Sequence, residues 1–143
     1  MPYRYLEDIA IADAAFEVTG LSLKEVFTDS AKAVSNTMVE DLGDVSKTTK
    51  RTVRIRSDTL EYLLFEFLQK LVYYKDAERL LFSEFDINIS SRPNEHFLEA
   101  KLFGEKIDSE RHQLSADVKA VTMHKFKLEK QSDTWKGMVI LDT

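Results

Sequence analysis

The sequence predicts an α+β domain of two layers, a mostly antiparallel sheet with two main helices packed on it. Three observations lead there. Two long segments repeat apolar residues at helical spacing. Most of the remainder alternates apolar and polar residues with a period of two, and polar turns separate neighbouring strands. With 143 residues, 43% of them hydrophobic, the chain is expected to form one domain, residues 1–143, with its own core.

The first strand read from the pattern is "ADAAFEVTG", with Ala14, Phe16 and Val18 on one face and Asp13, Ala15 and Glu17 on the other. The first helix, "SLKEVFTDSAKAVSNTMVED", opens with Ser22 and has Glu25 three residues on, the pattern of a capping box. Leu23, Val26, Phe27, Ser30, Ala31, Val34 and Met38 form its apolar stripe, and Gly43 is the expected stop. In "TVRIRS", Val53 and Ile55 point inward and Arg54 and Arg56 outward. The second helix, "SDTLEYLLFEFLQKLVYYKD", is expected to begin at Ser57 or Asp58. Leu60, Leu64, Phe67, Leu68 and Leu71 mark its buried face, and Leu63, Val72, Tyr73 and Tyr74 widen it.

Four strands follow. "LLFSEFDINI" carries Leu81, Phe85, Ile87 and Ile89 on one face, and "HFLEAKLFG" carries Leu98, Ala100 and Leu102 and ends at Gly104. Between them "SSRPNE" reads as a loop, because Pro93 cannot sit in a central strand. After the polar connection "GEKIDSERHQLSAD", the strands "VKAVTMHKFKLE" and "TWKGMVILD" are joined by "KQSD", the pattern of a hairpin.

Composition narrows the function. No segment approaches the roughly 20 apolar residues that span a bilayer, and "MPYRYLEDIA" lacks a basic region followed by an apolar run. The absence of cysteine excludes disulfides, thiolate metal sites and cysteine nucleophiles, and fits a cytoplasmic protein. A net charge of −5 argues against strong direct nucleic-acid binding, which relies on clustered Lys and Arg. It leaves open a basic protein partner or a metal ion. No phosphate-binding loop, dinucleotide fingerprint or nucleophile elbow occurs. His96, His112 and His124 lack the spacing of a zinc site.

The residues that could carry chemistry are few. The strand Met138–Leu141 runs straight into Asp142 and Thr143. Trp135, Val139 and Leu141 on one face and Met138 and Ile140 on the other predict a central strand, which would hold Asp142 rigidly. A hard cation such as Ca²⁺ or Mg²⁺ takes several oxygen ligands of net negative charge, and the Asp142 and Thr143 carboxylates would supply them. The other reading is a hydrated chain end. Asp13 is a turn or cap residue unless its strand neighbours the last one, in which case it meets Asp142. Lys119 shares a face with Val121 and Met123, and is either a stem lying over apolar surface or an ammonium held by a carboxylate. His124 reads as a structural residue.

Several segments in order resemble the archease family. Ala12–Asp13 with Gly20 is similar to the family's N-terminal ADxxxxxxG element, and "SLKEVF" is similar to SLEELF. "LLFEFLQKLVYYKDAE" resembles LLxxWLNELLYLxD. "GEKIDSERH" leading to "VKAVTMH" resembles GExxDxxxH followed by VKAxTxH, and "WKGMVILDT" resembles WxAxVxLDV. Ala10 and Ile11 depart from the family's His-Thr, Phe67 from its Trp, Gln69 from its Asn and Thr143 from an aliphatic last residue.

This resemblance implies an accessory protein, not an enzyme. Its partner would be the GTP-dependent ligase that joins RNA ends bearing 2′,3′-cyclic or 3′-phosphates, as in tRNA splicing. The accessory protein promotes guanylylation of that ligase and its multiple turnover. By the same resemblance the functional residues are Asp13, Lys119 and Asp142, and a calcium site would use Asp13, Asp142 and Thr143. Two other classes compete. A metal-dependent phosphoester hydrolase would need a base, for which His124 is the candidate. A general chaperone or interaction module for RNA-processing proteins would use Tyr73 and Tyr74.

Overall fold

The computed structural model describes residues 2–7 and 13–143. Ala10, Ile11 and Ala12 lie outside the described residues. Seven strands and two long helices follow in the order β1 (Tyr3–Leu6), β2 (Asp13–Gly20), α1 (Leu23–Met38), β3 (Thr49–Ser57), α2 (Leu60–Glu78), β4 (Leu80–Arg92), β5 (Glu95–Lys106), β6 (Ala120–Gln131) and β7 (Thr134–Asp142). The class is α+β, as the sequence predicts, and every strand pair is antiparallel. The strands divide into two sheets, one ordered β1-β2-β7-β6 and the other β3-β5-β4.

Both helices form where the apolar stripes place them, with their ends set by local chemistry. At α1 the Glu25 N–H donates to Ser22 Oγ at 3.1 Å. The Glu25 carboxylate accepts from Leu21 at 2.7 Å, one residue earlier than the usual reciprocal box. The helix stops at Met38, well before Gly43, which lies in a short 3-10 turn over Leu42–Asp44. At α2 Thr59 is the cap, its Oγ1 accepting from Tyr62, and Arg79 closes the helix in the left-handed region at φ 54°.

The core joins both sheets to both helices. Phe16, Val18, Val139 and Leu141 come from the first sheet and Val53, Ile87, Leu98, Ala100 and Leu102 from the second. Phe27 of α1 stacks on Phe67 of α2, ring centroids 6.2 Å apart. Burying side chains of this size supplies roughly 1.5–3 kcal/mol each, which is the main force holding the layers together.

Three departures from the sequence pattern have local causes. The strand β1 carries Arg4 and shows no apolar alternation, yet Tyr5 Oη donates to the Ala33 carbonyl of α1 at 2.8 Å. Burial pushes the Tyr5 phenol up to about 12. The expected loop "SSRPNE" shrinks to Pro93 and Asn94, because β4 and β5 stay paired to Arg92 and Glu95, and Asn94 turns the chain at φ 61°. In β6 the register jumps between Thr122 and Lys127, so that four residues bulge opposite Val139. Lys125 there takes φ 53°.

Candidate functional site

The two acids nominated by the sequence meet at one end of the first sheet. β7 lies between β2 and β6, so the apolar last strand is interior to its sheet. In the β2–β7 ladder Asp13 is directly opposite Asp142. Facing residues in an antiparallel pair project to the same side, with Cβ atoms roughly 5 Å apart. Behind them on that side lies the pair Ala15 and Ile140, each 1% exposed. The acids therefore stand on packed backbone.

The third nominated residue arrives from the other flank. Ala120 is opposite Asp142 in the β6–β7 ladder, and the Lys119 N–H donates to the Asp142 carbonyl at 2.8 Å. Lys119 thus touches the site through its main chain, and its side chain is exposed. The alternation expected for Lys119, Val121 and Met123 does not hold, since Val118 and Val121 are both in the core. β6 begins only at Ala120. His124 falls in the bulge, exposed, where strand parity no longer assigns it to the face of Thr122.

Asp142 is exposed, while Asp13 and Thr143 are half-buried. Cavities of about 520 Å³, beside Arg54, Asn88 and Phe97, and of about 360 Å³, beside Lys75 and Leu114, lie elsewhere. The donors at Asp13 and Asp142 are hard carboxylate oxygens, which suit Ca²⁺ or Mg²⁺ rather than a soft metal. Among the described residues no three His, Cys, Asp or Glu side chains form a metal cluster. A cation here would complete its shell with main-chain oxygen and water.

What leads the chain to this point is an internal latch that the polar connection 107–119 forms with the body of the fold. Glu105 receives Arg111, His112 Nε2 at 2.9 Å and the Ser46 N–H at 2.6 Å. The Arg111 hydrogen bond, opposed by burial and aided by Ser46 and His112, holds the Glu105 carboxyl down at about 2. His112 is 2% exposed. Its Nδ1 accepts from the Asp108 N–H at 3.0 Å, so its proton sits on Nε2 and points at Glu105. Glu105, Asp108 and His112 of "GEKIDSERH" are therefore structural here.

Sequence reasoning missed Lys75. It follows Leu64, Leu68 and Leu71 on the buried stripe of α2, and a lysine on such a stripe was the available signal. Its ammonium is buried and holds Asp117, Asp76 at 2.7 Å and the Val118 carbonyl at 2.7 Å. Burial draws the Lys75 pKa down, but the bonds to Asp117 and Asp76 outweigh it and leave it raised. Asp117 is lowered in return, first by the Lys75 hydrogen bond, with the Lys119 charge adding. Gln69 was also passed over, and its Oε1 accepts the Val121 N–H at 2.5 Å.

These features define a small α+β protein that displays acids at the end of an interior strand pair. The chain belongs to the archease family: the model of the archease protein family (MTH1598/TM1083) matches residues 3–143. It is 37% identical over 141 residues to protein archease of Methanosarcina acetivorans, covering 98% of this chain and 94% of that one. It is 36% identical over 132 residues to protein archease of Pyrococcus abyssi, covering 92% of each. The solution structure of Methanobacterium thermoautotrophicum protein 1598 superposes with a TM-score of 0.85 at 32% identity over 99% of both chains. A Thermotoga maritima crystal structure, described as an archease and possible chaperone, shares the fold. Its TM-score is 0.60 at 19% identity, covering 96% of this chain and 97% of that one.

Proposed function

We propose that this chain is a non-enzymatic accessory protein that activates a GTP-dependent 3′-phosphate RNA ligase of tRNA splicing in the cytoplasm. It acts by promoting guanylylation of the ligase and repeated turnover. The observation that carries this reading is the facing of Asp13 and Asp142 on adjacent strands, with Lys119 joined to the same strand end. Membership of the archease family supports it. Among the described residues no helix is long and apolar enough to cross a membrane.

The physical role follows from charge and rigidity. A ligase that handles RNA, GTP and divalent ions offers an electropositive, metal-bearing cleft. A chain of net charge −5 is attracted to it at long range. Asp13 and Asp142, with Thr143, would hold Ca²⁺ or another hard divalent cation, which supplies positive charge between the two proteins. The exposed Lys119 ammonium tunes the local balance of charge. Because the carboxylates stand on packed strands, little conformational entropy is lost when they dock.

The test is a guanylylation assay on the partner ligase with GTP, comparing the parent with Asp13→Asn, Asp142→Asn and Lys119→Met. Each variant should remain folded by circular dichroism and lose at least tenfold in stimulation. Full stimulation by all three overturns the proposal. The interaction-module reading has one observation in its favour, Tyr73 being 55% exposed on α2. It predicts the opposite result, binding that survives Asp142→Asn and fails on Tyr73→Ala.

A further inference from the structure

The acids at the strand end touch no helix through their own pairing, yet α2 grips the chain on both sides of the residues that hold Asp142. At one grip the Lys75 ammonium bonds the Val118 carbonyl at 2.7 Å. At the other, Gln69 Oε1 accepts the Val121 N–H at 2.5 Å. Between these points lie Lys119 and Ala120, and both meet Asp142. One donates its N–H to the Asp142 carbonyl at 2.8 Å, and the other is the Asp142 partner in the ladder.

We propose that Lys75 and Gln69 are positioning residues for the acidic tip, through which α2 sets where the Asp142 carboxylate stands relative to Asp13. The inference rests on the functional reading of that tip given above. Three features single it out from ordinary packing.

Lys75 is 8% exposed, and burying an ammonium is costly unless every donor is matched. A lysine has three donors, and Asp117, Asp76 and the Val118 carbonyl supply three acceptors. An apolar residue at position 75 would fill the stripe of α2 without that cost. What it could not do is hold a main-chain oxygen one residue away from the tip.

The second feature concerns β6, an edge strand of its sheet. Its start at Ala120 is paired on one side only. An edge strand slips in register more readily than a central one, and a slip of one residue would turn Ala120 and everything after it to the opposite face. Two fixed main-chain points three residues apart prevent that slip.

Third, the register of β6 is lost immediately beyond, between Thr122 and Lys127. The stretch before the bulge has only Ala120, Val121 and Thr122 in ladder with β7. Three paired residues make a weak ladder, so the grips from α2 carry a larger share of its definition than they would in a long strand.

Amide hydrogen exchange and calcium titration of the purified chain test this directly. In Lys75→Met the Lys119 amide should exchange at least tenfold faster, with the Val139 amide in the middle of β7 unchanged. Calcium chloride, followed by isothermal titration, should bind at least tenfold more weakly. Lys75→Arg, which keeps a buried cation and its donors, should recover calcium binding to within threefold of the parent. Gln69→Leu should accelerate exchange at Val121 and Lys119 and weaken calcium binding in the same direction. It decides the matter if Lys75→Met does not fold. Unchanged Lys119 exchange in a folded Lys75→Met, or in Gln69→Leu, overturns the proposal. Exchange at Lys119 is read with no ligase present. Failure of the grip is therefore distinguishable from failure of the proposed function, which is read from guanylylation by Asp142→Asn.

Discussion

Asp13 and Asp142 face each other directly across the β2–β7 ladder, 129 residues apart in sequence. Like charges in that position repel, and cross-strand pairs of this kind are worth roughly 0.2–1 kcal/mol. In buffer with a chelator, Asp142→Asn should therefore leave stability unchanged or raise it by up to about 1 kcal/mol. Calcium chloride at a hundredfold excess over its dissociation constant should then stabilise the parent by about 2.7 kcal/mol and leave the variant unmoved. Thermal melts with and without calcium check both halves. A variant less stable than the parent in chelator would show that the pair is not repulsive.

Glu105 supplies a pH dependence of definite sign. Its carboxyl lies at about 2 against an ordinary 4.5, chiefly through the Arg111 hydrogen bond. A depressed folded value contributes stability above the unfolded pKa and loses it as pH falls through the folded one. The parent should lose that contribution between pH 4.5 and about 2. The stability gap between the parent and Glu105→Gln should be widest at neutral pH and close across the same window. Urea melts at a series of pH values measure the gap, and a constant difference would dismiss this account of the latch.

Gly104 is needed for close approach. A Cβ at that position would lie 1.8 Å from the Leu81 carbonyl oxygen, a backbone atom that cannot swing aside. The site is beside the register shift between Phe82 and Glu84 in β4. Gly104→Ala should cost on the order of 4 kcal/mol or more, at the upper end of single substitutions. The expected readout is a large fall in the urea midpoint, or insoluble protein on expression. A midpoint within a few tenths molar of the parent would contradict the contact.

Phe67 stands where the family pattern has tryptophan. It is fully buried and stacked on Phe27. Restoring the larger ring with Phe67→Trp should be destabilising, by about 1–3 kcal/mol, because the space here is already filled. Phe67→Ala should cost about 3–5 kcal/mol through the cavity it leaves. Chemical denaturation of the two variants orders them, and a stabilising Trp would mean that the core holds unfilled volume.

The sequence made the helices and most strands legible because their signals are local. A stripe such as Leu64, Leu68 and Leu71 needs only its own helix to be read. β1 escaped because four residues containing Arg4 carry no period, and its place depends on Tyr5 reaching α1. The bulge after Thr122 escaped although the letters carry a trace of it: apolar residues alternate as Val121 and Met123 and resume out of phase at Phe126 and Leu128, across the break in register. At the site, Asp13 and Asp142 were nominated individually, and the family resemblance joined them. No periodicity states which strands pair. Lys119 was nominated for an ammonium among apolar neighbours, whereas its contact with Asp142 is made by its N–H, a group every residue but proline possesses. Lys75 was readable in principle as a charge on an apolar stripe, but its acceptors come from a connection whose path no pattern gave.

The meeting of β2 with β7 has a bearing on how the protein is made. During synthesis β2 leaves the ribosome with β1 as its only available neighbour, and its other edge waits until the final strand has emerged. Helices and the β3-β5-β4 sheet can consolidate meanwhile, as their contacts close over shorter loops. A chain that stops short of β7 therefore leaves the inner edge of β2 unpaired and Asp13 without the acid that faces it.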